Sequence, residues 1–307
     1  MLSTENPAER AYLDALLDKG LLIASGVDGV FGRGHDFERV VTALDDAVTA
    51  LGADDGAERW RFPPLVTRKN FEKSEYMKSF PTLAGSIHSF AGDDRAHRAL
   101  LATLEEGGDW AAGLPPTQVC LTPAACYPIY PVVARQPLPA GGRTIDVQSY
   151  CFRHEPSIDP ARMQMFRMHE HVRLGTPETV QAFREMWKER ARTLYLDELA
   201  LPGGADIAND PFFGRTGKML AQNQRDQSLK FEMLIPICST EKPTACASFN
   251  YHQDHFGHLF GIHLADGTTA HTGCVGFGLE RTTLALFKHH GLSISDWPKP
   301  VRERLAL

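Results

Sequence analysis

The chain has 307 residues, of which 43% are hydrophobic and 9% aromatic, an ordinary composition for a globular protein that can bury a sizeable core. Its formal net charge is −6 and its isoelectric point is near 6.1. This balance excludes the overall basic surface that is typical of proteins holding long stretches of nucleic-acid backbone.

Targeting signals and disulfide patterns are absent from the sequence. The N-terminus has neither the basic nor the apolar region of a signal peptide, and no apolar run approaches the roughly 20 residues of a membrane span. These features predict a cytoplasmic protein. The six cysteines, at positions 120, 126, 151, 238, 246 and 274, are scattered and form no CxxC pair. Such scattering favours reduced thiols, some of which can bind metal.

Apolar residues at helical spacing predict helices in the first third of the chain, over residues 6–22, 36–51 and 93–106. Between them, residues 59–81 are typical of a short extended piece followed by a helix, with Pro63-Pro64 interrupting the first part and Pro81 ending the second.

The remainder alternates extended and helical patterns. Extended stretches are predicted at 118–133, 144–155, 231–238 and 245–251, and a helix begins at Thr176-Pro177. Residues 210–230 are polar and basic, which indicates a surface helix or ordered loop. Since no repeat or linker interrupts the chain, we expect one mixed domain built on a mostly antiparallel sheet with flanking helices.

Two segments carry charged residues at regular spacing. The first, in residues 150–175, has the pattern F-R-x-E, a loop, and R-x-x-x-F-x-x-x-E, formed by Phe152, Arg153, Glu155, Arg162, Phe166 and Glu170. Taken alone, it fits a hairpin with one solvated face equally well. The second segment, 273–281, reads G-x-x-G-x-G-x-E-R and leads into an apolar helix. Together and in this order, the segments resemble motifs 2 and 3 of class II aminoacyl-tRNA synthetases.

The resemblance extends over roughly residues 60–290. It is strongest to the atypical, zinc-dependent archaeal form of seryl-tRNA synthetase, because the sequences FRMHEHVRLG and KFEMLIP are similar to segments of that form. It implies an α+β, class II synthetase-like catalytic domain over 59–307, an antiparallel sheet flanked by helices. Residues 1–58 would form an N-terminal helical segment packed on it. Residues 59–81 are placed like motif 1, which lies at the dimer interface of that family, so the resemblance also implies a homodimer.

The family's chemistry explains the charged residues. The amino-acid carboxylate attacks the α-phosphorus of ATP. Arginine can hold both anions because its planar guanidinium offers several N–H donors and stays positively charged. The resemblance implies that Arg153 binds the α-phosphate and the carboxylate, that Arg281 binds the γ-phosphate, and that adenine lies between Phe166 and Arg281. Glu155 would accept from the adenine amino group and Arg162 would reach the β- and γ-phosphates. Arg153, Glu155 and Arg281 are the candidate catalytic residues.

Magnesium is expected with ATP, because Mg2+ commonly bridges triphosphate oxygens while using few protein ligands. Glu241 lies between two extended stretches, where the family has a carboxylate that binds the ATP-associated metal. The same position also fits an ordinary loop glutamate, so both interpretations stay open.

Cys126, Glu170 and Cys274 are far apart in sequence, and on spacing alone the two cysteines could be unrelated core thiols. Their positions match those of the three zinc ligands in zinc-dependent seryl- and threonyl-type enzymes. The resemblance therefore implies one Zn2+ per subunit, with a fourth position open to the α-amino group of the substrate. Glu170 and Arg153 would then recognise the amino acid together. Three histidines flank this segment and are interpreted as supporting or surface groups, namely His154, His169 and His171.

A tRNA partner is not expected, because only two short helices without a basic block precede residue 60. The truncated, zinc-bearing pattern resembles a bacterial family, the amino acid:[carrier protein] ligases. This implies activation of a small amino acid, glycine or alanine, as the aminoacyl-adenylate. The acyl group would then pass to the 4'-phosphopantetheine thiol of a small acidic carrier protein.

Residues 205–230 are a candidate carrier-binding insertion, because Arg215, Lys218 and Arg225 could meet an acidic partner. A solvated helix face explains the same charges.

Two other functions are open at this point. The chain could be a minimal seryl-type tRNA ligase with a separate RNA-binding partner, although it shows no RNA-binding module. It could also be a non-catalytic regulatory paralogue, although such a binder does not need the phosphate-binding arginines at Arg153 and Arg281.

Overall fold

The structure is a computed structural model that describes residues 6–210 and 212–307, apart from the side chains at 214–216 and 220. The helices are α1 (Pro7–Asp18), α2 (His35–Leu51), α3 (Arg68–Lys73), α4 (Tyr76–Ser79), α5 (Asp94–Glu105), α6 (Tyr130–Val133), α7 (Pro177–Arg192), α8 (Gly214–Asp226), α9 (His255–Phe260), α10 (Leu279–His290) and α11 (Lys299–Arg304). The strands are β1 (Leu22–Val27), β2 (Val30–Arg33), β3 (Glu58–Arg61), β4 (Leu65–Thr67), β5 (Ser86–His88), β6 (Pro116–Leu121), β7 (Arg143–Phe152), β8 (Met165–Gly175), β9 (Gly204–Ile207), β10 (Lys230–Ile235), β11 (Thr244–Gln253) and β12 (His271–Gly278).

A seven-stranded sheet forms the centre of the molecule, with the strand order β3-β7-β8-β12-β11-β10-β9. Only β3 and β7 pair in parallel among these strands, and the other neighbours are antiparallel. Strands β4, β6 and β5 form a small second sheet, and β1 and β2 form a separate hairpin. This architecture confirms the predicted antiparallel sheet with flanking helices.

The two faces of the central sheet have different roles. One face, called the helix face below, packs on α2, α7 and α10 through side chains such as Val275 and Phe277 of β12 and the buried Trp187 of α7. The other, called the site face below, lies against the segment around α6 and α9 and carries Cys274 and Val172. Because successive side chains on a strand point to opposite faces, both layers are supplied by the same strands.

Local sequence accounts for several helices. Helix α2 buries six of the seven apolar residues of its predicted stripe and leaves the last, Leu51, partly buried; the six are Phe37, Val40, Val41, Leu44, Ala47 and Val48. Helix α7 begins as predicted, with Pro177 in its first turn and the Thr176 hydroxyl accepting a hydrogen bond from the backbone N–H of Thr179.

Two predicted elements are wrong in part. The helix predicted over 6–22 ends at Asp18, and the chain turns through Gly20, at φ +70°, into the β1–β2 hairpin that the sequence reading missed. The N-terminal segment is therefore not wholly helical. The extended stretch predicted over 118–133 continues only to Leu121, and its last residues are helical instead, with Pro131 in the first turn of α6, where proline is tolerated.

Within the described ranges, the helices are all too short or too polar to cross a bilayer. Residues 205–230, predicted as an insertion, contain most of edge strand β9 and the whole of α8.

Burial of α2 predicts that residues 1–58 unfold together with the rest of the chain. Leu44 is only 1% exposed, so Leu44→Ala should lower the free energy of unfolding by about 2–5 kcal/mol. Ile23→Ala removes the same number of carbon atoms from a side chain that is 56% exposed and should cost less than about 1 kcal/mol. Calorimetry and denaturant titration measure both. Two separate wild-type transitions, only one of which moves in Leu44→Ala, would contradict a single structural domain.

Candidate functional site

The site lies where β7, β8 and β12 run side by side. Glu170 of β8 is paired with Val147 of β7 and Gly276 of β12, and Cys274 lies two residues before Gly276 on the same face. Because successive side chains of β8 point to opposite faces of the sheet, Glu170 points to the site face while its neighbours point to the helix face. The strand pairing therefore sets Glu170 and Cys274 close together in the molecule, although they are far apart in sequence.

Cys126 completes a cluster with these two residues. It lies in the turn before α6, and the two thiol sulfurs and a Glu170 carboxylate oxygen all lie within 4.8 Å of one another. All three side chains are buried, and the Glu170 Oε2 atom has no hydrogen-bond partner. Two thiols and one carboxylate are ligands that zinc takes readily, so this donor set fits the predicted metal.

Burial and close contact shift the pKa values in the cluster. Burial, together with the nearby Cys274, raises the pKa of Glu170 to about 8, while Arg153 acts in the opposite direction. The hydrogen bond between the two thiols holds the pKa of Cys274 below its ordinary value and that of Cys126 above it. Three acidic groups packed this closely disfavour full deprotonation unless a positive charge lies among them, as a bound cation would.

Two polar side chains on β11 contact the Cys274 sulfur. Asn250, paired with Cys274 across the strands, donates to Sγ from its amide nitrogen at 3.4 Å. The His252 Nε2 atom lies 3.6 Å from the same sulfur, and its Nδ1 atom lies 3.1 Å from the Thr272 hydroxyl. The sequence analysis missed both residues. Asn250 lies within the strand predicted over 245–251 and His252 follows that strand directly, but this spacing of two did not identify the neighbouring strand.

Arg153 follows directly after β7, and its charge acts both on Glu170 of the cluster and on Arg281. Its Nε atom donates to the Pro123 carbonyl at 3.1 Å, and its guanidinium lies 5.5 Å from the centre of the Phe166 ring. Burial alone would lower the pKa of Arg153, but negatively ionising groups around it, including Tyr76 and Asp210, hold that pKa above its usual range. A permanently charged, half-buried guanidinium therefore acts on the cluster, where it favours the ionised form of Glu170.

Arg281 lies in the first turn of α10 and lines a small cavity together with Phe166, Gly278 and Leu284. Its Nε and Nη1 atoms donate to two backbone carbonyls, those of Ala161 and Ala245. Burial and the positive charge of Arg153 lower the pKa of Arg281. The structure thus brings Phe166, Arg281 and Arg153 to one place, as the sequence predicted.

Glu155 and Arg162 lie in the loop between β7 and β8 and contact each other loosely, with 3.6 Å between Glu155 Oε1 and Arg162 Nη1. The Arg162 side chain is 54% exposed. Glu241 occupies the exposed loop between β10 and β11, where it lines a separate cavity with Lys288 and His289. It is not among the residues lining the cavity beside Arg281.

The three flanking histidines separate into two environments. His154 is exposed, whereas His169 and His171 are buried on the helix face. His169 lies between two carboxylates, with Asp45 2.7 Å from Nδ1 and Asp146 3.2 Å from Nε2. The ligand-type atoms of Asp146, His169 and His171 also lie within 4.8 Å of one another. Because Asp146 and His169 already have charged partners in the protein, we assign no metal to this group.

The candidate carrier-binding residues lie on α8. Lys218 is exposed, and Arg225 donates to the Asn209 side chain at 3.1 Å. Met219, next to Lys218, is 75% exposed. The side chain of Arg215 lies outside the described residues. Asp210, just before this helix, acts electrostatically on Arg153, which places the start of the segment beside the site.

Two relatives match almost the whole chain. It is 48% identical to amino acid--[acyl-carrier-protein] ligase 1 of Bradyrhizobium diazoefficiens over 296 residues, 96% of this chain and 90% of that protein. Identity to amino acid--[acyl-carrier-protein] ligase 2 of the same organism is 46% over 306 residues, 99% of this chain and 90% of the relative. The type-2 serine--tRNA ligase of Methanopyrus kandleri is 30% identical over 200 residues, 60% of this chain and 37% of that protein.

Solved structures show the same fold. The M. kandleri seryl-tRNA synthetase in complex with A. aeolicus tRNASec superposes with a TM-score of 0.81 at 22% identity, over 96% of this chain and 60% of that one. The Pyrococcus horikoshii seryl-tRNA synthetase complexed with ATP gives 0.69 at 15% identity, over 96% and 62% of the two chains. This chain thus spans about three fifths of the length of these synthetases.

No protein-family model matches the chain. The chain is nevertheless 46–48% identical to two ligases over almost its whole length, and its architecture is that of a synthetase, which is sufficient to assign its family. The chain belongs to the amino acid--[acyl-carrier-protein] ligase family, and it is a ligase with a class II aminoacyl-tRNA synthetase-like fold.

Proposed function

We propose that the protein activates a small amino acid, glycine or alanine, with Mg-ATP and transfers it to the phosphopantetheine thiol of an acidic carrier protein. The observation that carries this proposal is the Cys126–Glu170–Cys274 cluster together with the half-buried Arg153, whose charge acts on both Glu170 and Arg281. An amino acid held there would have its amine at the cluster and its carboxylate at the arginine. The two relatives that match almost the whole chain are named amino acid--[acyl-carrier-protein] ligases.

In the first step, a carboxylate oxygen of the amino acid forms a bond to the α-phosphorus of ATP while the bond to pyrophosphate breaks. Arg153 binds the carboxylate and the α-phosphate, so it holds the two anions together. Phe166 and Arg281 hold adenine, and Glu155 accepts from its amino group. Arg162 binds the β- and γ-phosphates, with Arg281 on the γ-phosphate. The side-chain arginines stabilise charge and position, and the step uses no protein nucleophile.

The amine end of the site depends on the cluster. When bound by Cys126, Glu170 and Cys274, one Zn2+ per subunit would supply an electrophilic position that takes the neutral amine. Asn250 and His252 orient the Cys274 sulfur from the side, as groups around a metal ligand commonly do. Magnesium would accompany ATP, and Glu241 is proposed as its carboxylate ligand once its exposed loop closes over the nucleotide.

In the second step, the carrier thiol attacks the acyl carbon, a thioester forms and AMP leaves. Helix α8 supplies the docking face in this proposal, through Arg215, Lys218 and Arg225, and the segment begins close to Arg153. A positive helix face suits a small acidic carrier because opposite charges speed encounter and fix orientation. We also propose that the protein is a homodimer, with residues 59–81 at its interface. The catalytic domain would comprise residues 59–307, with residues 1–58 packed on it.

Mass spectrometry of the carrier tests the proposed function. A phosphopantetheinylated carrier incubated with enzyme, Mg-ATP and glycine should gain one glycyl group, and a thiol nucleophile should remove it. Arg153→Ala should abolish both this product and ATP–pyrophosphate exchange, because the two anions lose their shared cation. Total tRNA serves as the parallel acceptor. Charged tRNA beside an unmodified carrier, or near-normal exchange by Arg153→Ala, would refute the assignment.

The metal assignment predicts a specific loss. Cys274→Ala should remove stoichiometric zinc and amino-acid activation, because only two ligands remain. Cys246→Ala is the matched control, since Cys246 is equally buried but packs in the core on the helix face. Elemental analysis of the purified proteins measures zinc directly. Zinc-free wild-type protein, or equal zinc in both variants, would show that the cluster is not the metal site.

The docking face predicts a defect confined to the second step. Lys218→Glu should raise the KM for the carrier roughly tenfold at low salt, because it opposes an acidic partner, and the effect should diminish as salt is added. Adenylate formation without carrier should persist. Lys299→Glu, which changes an exposed lysine on α11, is the control. Equal carrier KM values in the two variants would show that α8 does not dock the carrier.

A further inference from the structure

The β1–β2 hairpin lies outside the central sheet and contacts the loop between β7 and β8. This loop, residues 153–164, is called the ATP loop below because it carries Glu155 and Arg162. At the hairpin turn, the Gly29 carbonyl accepts from the backbone N–H of Gln164 at 2.7 Å, and the Asp28 carbonyl accepts from the Gln164 side-chain amide at 2.8 Å. Gln164 is buried, so its polar groups depend on these partners.

The same glutamine is bonded to the other end of the ATP loop. Its backbone carbonyl accepts from the N–H of Arg153 at 2.9 Å. A continuous series of hydrogen bonds thus runs from the hairpin turn through Gln164 to the arginine that is proposed to hold both reacting anions.

Gly29 allows the turn and the loop to approach closely. Its φ of +74° belongs to the left-handed region, and a Cβ atom there would lie 3.1 Å from the Arg162 carbonyl oxygen and 3.2 Å from the Gln164 Cγ atom. Gly26, in the same hairpin, has a φ of +86°, yet a Cβ atom added to it would meet nothing within 4 Å. The two glycines therefore share a backbone conformation, but only Gly29 is in contact with the ATP loop.

The base of the hairpin is also fixed. The Arg33 Nη2 atom donates to the Met165 carbonyl at 2.6 Å, and its Nε atom lies 3.2 Å from Glu280 of α10. The hairpin is thus attached to the site at its turn and at its base. The Arg162 side chain, in contrast, has only distant carboxylate partners, at 3.6 and 3.7 Å, so it is free to turn towards phosphate.

We infer that the β1–β2 hairpin is a brace that holds the ATP-loop backbone in its nucleotide-binding shape, with Gln164 as the positioning residue. The inference rests on the proposed activation of an amino acid by ATP. A fixed backbone with mobile arginine side chains lets the loop bind triphosphate without first ordering its main chain, which improves affinity for ATP. In this proposal the substrate amine binds at the Cys126–Glu170–Cys274 cluster, whose residues lie outside the ATP loop.

ATP–pyrophosphate exchange by the full-length protein tests the brace. Gln164→Met keeps the length and apolar stem of the side chain but cannot donate to Asp28, and it should raise the KM for ATP about tenfold. Gly29→Ala should do the same by pushing against Arg162. Gly26→Ala, which has the same backbone strain without that contact, should leave the KM for ATP at the wild-type value. Zinc content should be unchanged in all three, and the KM for the amino acid should change less than the KM for ATP.

The outcomes separate the brace from the function on which it rests. Wild-type protein that shows no exchange with any small amino acid would refute the proposed activation itself. Normal wild-type exchange together with a wild-type KM for ATP in Gln164→Met would overturn the brace alone. If thermal unfolding shows that Gly29→Ala is not folded, the KM for ATP of Gln164→Met decides whether the brace exists. An equal rise of the KM for ATP in Gly26→Ala and Gly29→Ala would also overturn the brace, because backbone strain would then explain the effect.

Discussion

The alternation of side chains along β8 is the constraint on which the rest of the molecule depends. Glu170 faces the site, whereas His169 and His171 face the helices, and a shift of one residue in register would exchange them. A carboxylate would then enter the aromatic core around Trp187, and imidazoles would replace it beside the thiols. The pairing of β8 with both β7 and β12 along most of its length makes such a shift very costly.

A buried ion network strengthens this arrangement. Glu280, at the start of α10, accepts from the backbone N–H and the Nε atom of Arg167 on β8, at 2.7 and 2.9 Å. The two terminal nitrogens of Arg167 contact Glu38 of α2, each at 2.7 Å. Removing one member leaves a buried charge without its partner, which commonly costs about 3–5 kcal/mol. The network therefore joins the N-terminal segment to both motifs that carry the arginines of the site.

The sequence predicted the residues that belong to motifs with a recognisable spacing of their own. Arg153 and Phe166 belong to one such motif and Arg281 to another, more than a hundred residues later, and the structure brings the three to one place. Asn250 and His252 could not be found in the same way, because their contact with Cys274 depends on which strand lies beside β11. The β1–β2 hairpin was missed for a related reason: its turn has little apolar pattern, and its contacts are with residues more than a hundred positions away.

The contact of α2 with α10 has a consequence for biosynthesis. Phe37 stacks on Phe287 with 6.1 Å between ring centres, and the Tyr12 hydroxyl donates to the Leu284 carbonyl, 272 residues further along the chain. The part of the apolar face of α2 that packs on α10 thus stays uncovered on the ribosome until almost the last residues emerge. Contacts this distant in sequence slow folding and expose nascent chains to aggregation. A product truncated before α10 would lack the helix on which its own first helices pack. Its exposed apolar surface would then be recognised by cellular quality control.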